Sequence, residues 1–172
     1  MQILHIIFKA LKRRYLLYGY ESQELRQGAD YAMSVTLMRG KIGAGKSYTA
    51  RGICSETGAK LLSVDFFMES VFGNECIGRE KHIEAEKAVL EFCLNIAKTL
   101  SGMGISAVID HGFWLKSELL AAESFLKDNG IGFEVIEVDA DFETRLERVL
   151  SRTDGKRFDK DKLMIFDNYY EK

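Results

Sequence analysis

No apolar run in this chain reaches the roughly 18–20 residues needed to cross a bilayer. That excludes a transmembrane helix on hydropathy. Cysteine is scarce, with Cys54, Cys76 and Cys93 the only three. An odd number at these spacings fits neither a paired disulfide framework nor a C-x-x-C metal site. Reduced thiols in a cytoplasmic protein are the expectation. Charge of one sign is not in excess either: 24 Lys and Arg stand against 26 Asp and Glu, a net charge of -2. This balance gives no general attraction to duplex nucleic acid, although a local basic cleft would not show in the total. Repeats and low-complexity tracts are missing. Proline is absent altogether, and nothing in the sequence accounts for it.

What remains is an ordinary globular composition in 172 residues, enough for one domain around one core. Residues 1–33 read differently from the rest. Their first twenty residues place Ile3, Ile7, Leu11 and Tyr15 at helical spacing, as in an amphipathic helix. A packing helix, a membrane-surface or partner-binding helix and an extension of little functional weight are all compatible with that pattern. The basic cluster Lys9, Lys12, Arg13 and Arg14 follows the apolar stretch, whereas a secretory signal has its charges first. Met33 could open a shorter product. The expected division is an N-terminal helical extension, 1–33, and a nucleotide-binding domain, 34–172.

From Ser34 onward, strands and helices alternate. The pattern predicts strands at 34–39, 60–65, 106–110 and 132–139. Helices are expected at 46–56, 66–72, 80–100, 116–129 and 141–152, and Asp159 reads as the N-cap of a last one. Ala85, Val89, Phe92, Ile96 and Leu100 form one helical stripe, Leu119, Ala122 and Leu126 a second with Gly130 as the stop of its helix, and Phe142, Leu146, Val149 and Leu150 a third. Strands separated by helices argue for a parallel sheet covered on both faces. Ligands in such sheets bind beyond the carboxyl ends of the strands.

The first strand runs into Gly40-Lys41-Ile42-Gly43-Ala44-Gly45-Lys46-Ser47. This matches G-x-x-x-x-G-K-[ST] at every fixed position, between a strand and a helix as that motif requires. A chance match somewhere in a chain of this length is roughly one in a hundred. The loop amides can wrap a β-phosphate, and the following helix aims its positive end at the same anion. A Cβ at the glycines would crowd the anion or forbid the torsions. Lys46 is expected to reach the β- and γ-oxygens and Ser47 to offer its hydroxyl to Mg²⁺, with Tyr48 next to the bound nucleotide. The implied ligand is ATP, with GTP as the alternative. A P-loop NTPase fold follows: three α/β layers, with a parallel sheet in the order 2-3-1-4 if it follows nucleotide kinases.

In that order Asp110, at the end of the third strand, stands beside the loop and suits Mg²⁺. Asp65, at the end of the second, stands farther out, where an acceptor hydroxyl would approach; general base or orienter is its expected role. Either carboxylate could instead cap the next helix, and the two roles could be exchanged. His111 reads as structural more readily than substrate-binding. Phe113 and Trp114 either line an acceptor pocket or pack. Arg145, Arg148 and Arg152 share a helical face. Together with Lys156 and Arg157 in the loop that follows, they could close as a lid over the phosphoryl group. Otherwise they pair with Glu143 and Glu147 on a solvated face.

The phosphate loop, with LLSVDFF, AVIDHGFW and RLERVLSRT, resembles the small ATP-binding P-loop kinase family often labelled AAA family ATPase. That family is similar to chloramphenicol phosphotransferases, zeta toxins and polynucleotide kinase domains. The resemblance covers roughly Met33 to Lys172. It implies ATP, Mg²⁺ and phosphoryl transfer to a hydroxyl of a small molecule or nucleotide. By position it makes Asp65 and Asp110 the aspartates of strands two and three, and Arg148 and Arg152 the lid arginines. Many relatives continue past the final helix, and a fifth strand that helps hold the adenine could be missing here. A nucleotide-dependent switch and a binding module without an acceptor are the competing functions. Asp110-His111-Gly112 puts the glycine one residue too early for a GTPase switch. A polynucleotide acceptor would need a basic, aromatic-lined channel, to which Arg79, Lys81, Trp114 and Lys116 could contribute.

Overall fold

The computed structural model describes residues 34–73, 79–152 and 159–171. The expected helix within 1–33 and the loop cations Lys156 and Arg157 lie outside them. Among the described residues four strands form one parallel sheet: β1 (Ser34–Arg39), β2 (Lys60–Ser63), β3 (Ala107–Asp110) and β4 (Gly132–Glu137). Their order is β2-β3-β1-β4, so the expected 2-3-1-4 arrangement is the observed one. Six helices accompany them: α1 (Lys46–Thr57), α2 (Val64–Phe72), α3 (Arg79–Gly102), α4 (Lys116–Asp128), α5 (Phe142–Leu150) and α6 (Lys160–Asp167).

Register places the strand ends together. Met38 pairs with Asp110, and Ser63 pairs with the same Asp110 from the other side. The phosphate loop, the end of β3 and the end of β2 therefore open onto one edge of the sheet.

The larger core lies on one face. Val35 and Leu37 of β1 and Ile109 of β3 pack against Phe67 of α2, Val89, Cys93 and Ala97 of α3, and Leu119, Ala122 and Leu126 of α4. The α4 stripe is the expected one. In α3 the small residues Cys93 and Ala97 are fully buried, while Ala85, Ile96 and Leu100 are only partly buried beside the core. The inward stripe thus sits about one residue round from the expected one. Small side chains at i, i+4 let the long helix lie close against the sheet. The opposite face carries Met38, Ala50 and Val108, with Ile53 and Cys54 of α1 packed on them.

Two expectations need correction. β2 ends at Ser63, not at Asp65, because the Ser63 hydroxyl accepts from the Phe66 amide and starts α2 at Val64. Asp65 therefore stands in the first turn of a helix. β4 is also not buried on both faces: it is the sheet edge, and Gly132, Glu134 and Val135 are exposed. β4 is covered chiefly by α4, on one face, whereas β3 has α1 on one face and α3 on the other.

The helix ends follow their local chemistry. Asp141 accepts from the Thr144 amide at 2.8 Å and Asp159 from the Lys162 amide at 2.8 Å, capping α5 and α6. After α4 the Ile131 amide returns to the Leu126 carbonyl and the Gly130 amide to Lys127, closing the helix as Gly130 predicts. No helix among the described residues is long and apolar enough to cross a membrane.

Candidate active site

The phosphate loop is held from three sides. The Gly40 amide donates to the Gly112 carbonyl, tying the loop to the segment after β3. A Cβ on Gly40 would run into the Val138 carbonyl oxygen, and one on Gly43 would sit 2.7 Å from that of Arg145. The glycines are thus required by the protein's own backbone as well as by an anion. Gly45 is the N-cap of α1, and Tyr48 and Thr49 donate to its carbonyl. The amides of Gly43, Gly45, Lys46 and Ser47 find no protein acceptor among the described residues. Free amides at a helix N-terminus are the arrangement that takes a phosphate.

Lys46 opens α1 with its ammonium bonded to the Lys41 carbonyl at 3.0 Å. Burial lowers its pKa, Asp110 and then Asp65 act to raise it, and Arg152 and Arg145 oppose them. Two carboxylates and two guanidinium groups therefore lie within electrostatic reach of one ammonium. Ser47 follows Lys46, and Tyr48 beside it is exposed. Asp110 is buried at the tip of β3.

Asp65 faces the same cleft. Its pKa is raised first by desolvation and then by Asp110, with Lys46, Arg152 and His82 opposing. The residue is solvent-accessible although desolvated. Both hold for a carboxylate on a concave wall, which meets water on one side and protein on the others. A raised pKa makes a carboxylate a better proton acceptor near neutrality.

Farther along this wall is a cluster that the sequence did not reveal. His111 is buried between two helices, with Nδ1 3.8 Å from a Glu86 oxygen of α3 and Nε2 4.0 Å from a Glu118 oxygen of α4. Neither distance is a hydrogen bond. Burial, and then Lys46, push the imidazole down to about 4. Glu86 is pushed up to about 7 by burial, then by Asp65 and Glu118. Glu86 was invisible as a site residue because its place depends on where α3 crosses the end of β3.

The three arginines do not act alike. Arg148 donates from Nη1 to the Gly43 and Ala44 carbonyls, at 3.2 and 2.9 Å, so it is engaged with the phosphate loop. Arg145 is 2% exposed and donates to the Asp167 carboxylate through both terminal nitrogens. It is a buried structural cation, neither a lid residue nor a partner of Glu143 or Glu147. Arg152 is exposed just beyond α5 and keeps its electrostatic place beside Lys46 and Asp65.

The aromatic pair packs. Phe113 is fully buried, edge-on to His111 at 4.9 Å, and takes φ 44. A non-glycine residue there carries roughly 1–2 kcal/mol of strain, held by its packing. Trp114 meets Phe166 and Tyr170 edge-on, at 5.8 and 6.2 Å. Its ring is taken up by the C-terminal segment. Of the other residues considered for a polynucleotide channel, Lys81 and Lys116 are exposed, and the side chain of Arg79 lies outside the described residues.

A family model for an AAA domain (AAA_33) matches residues 35–170. The chain belongs to this AAA domain family. No curated protein matches the sequence. Solved structures share the fold of this AAA domain at low identity. A Chloroflexus aurantiacus protein assigned as a kinase superposes with a TM-score of 0.67 at 18% identity, covering 80% of this chain and 76% of that one. The Mycobacterium tuberculosis APS kinase in complex with AMPPNP and APS gives 0.58 at 17% identity, over 74% and 73%. A gluconokinase from Sinorhizobium meliloti gives 0.55 at 15% identity, over 83% and 77%.

Proposed function

We propose that this AAA domain is a kinase that transfers the γ-phosphoryl group of ATP to a hydroxyl of a small-molecule or nucleotide acceptor. The observation that carries the reading is that the free loop amides, Asp110 and the helix start bearing Asp65 lie at strand ends that open onto one edge of the sheet, where Lys46, Asp110, Asp65 and Arg152 lie within electrostatic reach of one another. The loop amides and Lys46 hold the phosphates, and Arg152 adds charge where negative charge spreads over the transferring group. Asp65 orients the acceptor and takes its proton as the hydroxyl oxygen bonds to γ-phosphorus and the bond from γ-phosphorus to the bridging oxygen breaks. ADP leaves.

Ser47 and Asp110 fit Mg²⁺. A hydroxyl and one carboxylate, completed by phosphate oxygens and water, are its usual partners. Two protein ligands hold this ion weakly by themselves, so it arrives with the nucleotide. When bound it neutralises phosphate charge.

The described side chains on the acceptor wall favour one class of acceptor. Beyond Asp65 the wall carries the carboxyl groups of Glu86 and Glu118 on either side of His111, and where these are ionised a phosphate-bearing acceptor meets like charge. A neutral or cationic hydroxyl compound is favoured over a nucleotide. ADP release measured against neutral polyols, amino alcohols and phosphorylated sugars tests both statements. Stimulation by a hydroxyl compound supports the kinase; stimulation only by phosphorylated compounds removes the charge argument. Asp65→Asn should lower the stimulated rate by about 10²–10⁴-fold with nucleotide affinity unchanged. An unchanged rate removes Asp65 from the reaction.

A further inference from the structure

The C-terminal helix reaches the phosphate loop through buried charge. Asp167 ends α6, and its carboxylate accepts from both terminal nitrogens of Arg145, one at 2.8 Å. Arg145 Nη1 also donates to the Ile42 carbonyl at 3.3 Å, and Nε to the Ala140 carbonyl at 3.2 Å. A second arm runs directly to the loop: Lys41 Nζ stands 3.6 Å from the same Asp167 carboxylate. One side chain of α6 therefore governs both a loop ammonium and the guanidinium that grips a loop carbonyl.

The rest of the segment is fastened to the same edge. The Tyr170 ring lies under the Arg39 guanidinium at 4.8 Å and 5.7 Å from Lys41 Nζ. Its hydroxyl donates to Glu137 at 2.8 Å. The Glu171 amide donates to the Trp114 carbonyl at 2.9 Å, and the Glu171 carboxylate accepts from the Lys116 amide at 2.8 Å. The segment thus bridges the end of β1, the end of β4 and the start of α4.

We propose that Asp167 is a positioning residue for the nucleotide site, setting the phosphate loop through Arg145 and Lys41 so that docking of α6 and binding of nucleotide are linked. The physical reason is that a loop carbonyl pattern is only as fixed as the cation that grips it. Arg145 without its carboxylate is a buried charge with no counter-ion, and it must turn toward water or toward other carbonyls. Either movement releases Ile42. Linkage is reciprocal, so nucleotide must hold α6 in place to the same degree that α6 holds the loop.

The inference rests on the nucleotide reading given above, and the experiment separates the two. Mg·ATP is titrated into the full chain and into Asp167→Asn, Asp167→Glu and the surface control Glu123→Gln, with circular dichroism to show that each is folded. The single tryptophan, Trp114, touches α6 and the tail, so its emission reports docking in the same titration. The expected result is about tenfold weaker binding for Asp167→Asn, within the usual range of coupling. Asp167→Glu should recover part of the loss, Glu123→Gln should bind as wild type, and nucleotide should shift Trp114 emission. Equal affinity of folded Asp167→Asn and wild type overturns the inference and leaves the nucleotide site standing. A wild-type chain that binds no Mg·ATP overturns both. Should Asp167→Asn fail to fold, amide exchange of wild type decides: Mg·ATP slows exchange across 160–170 if the sites are linked, and unchanged exchange there overturns the proposal.

Discussion

Gly43 and Gly58 have nearly the same backbone torsion, φ +78 and +76, but different surroundings. At Gly58, the C-cap of α1, an added Cβ meets nothing within 4 Å. At Gly43 it meets the Arg145 carbonyl oxygen at 2.7 Å and the Arg145 Cα at 3.1 Å. Alanine at either site carries the cost of a left-handed L-residue, about 1–2 kcal/mol. Gly43→Ala alone must also push α5 away, and overpacking of this kind costs a further ~1–3 kcal/mol. Arg145 cannot easily yield, since its guanidinium is fixed by Asp167. The sum is about 1–2 kcal/mol for Gly58→Ala and about 2–5 kcal/mol for Gly43→Ala. Urea unfolding at equal m-values measures both. The second prediction within the pair concerns binding: Gly43→Ala should weaken Mg·ATP, and Gly58→Ala should not. Equal loss of stability in the two variants would refute the claim that the loop is shaped by close approach to α5.

Two further perturbations follow from the site. Arg148→Ala removes both bonds to the Gly43 and Ala44 carbonyls; because the residue is exposed, the stability loss should stay near ~1 kcal/mol, while nucleotide binding weakens more than stability does, as paired titration and thermal unfolding will show. Glu86→Gln should be pH-dependent: the folded carboxyl is raised to about 7, so the native state holds its proton longer than the unfolded chain and wild type loses stability as pH rises from about 4.5 through 7. Partial exposure of Glu86 reduces that loss to on the order of 1–2 kcal/mol. The variant should therefore gain stability over wild type at pH 8 and nearly match it at pH 4.5, and an equal difference at both values rejects the assignment.

Much of this molecule was legible in its sequence because the signals are local. The phosphate loop lies within eight consecutive residues, and its flanking strand and helix appear where the apolar pattern puts them. The Leu119, Ala122 and Leu126 stripe and the cap at Asp159 depend only on near neighbours. Element ends were less legible where two local signals compete. At 60–65 the apolar run reads on as strand, but the Ser63 hydroxyl starts a helix at Val64. Arginine spacing on α5 alone points to a shared face toward phosphate, whereas burial turns Arg145 inward and leaves Leu150 exposed.

The sequence alone determined the anion-binding loop, the alternation of elements and hence a parallel sheet, since each is written in spacings of a few residues. Only the tertiary structure decided which charges meet: Arg145 with Asp167, 22 residues apart, Arg148 with the carbonyl of Ala44, 104 apart, and His111 between Glu86 and Glu118. A charged side chain carries no mark of its partner in the chain. Its environment, and so its charge state and its use, is set by strand order and helix docking, which bring distant segments to the same edge of the sheet.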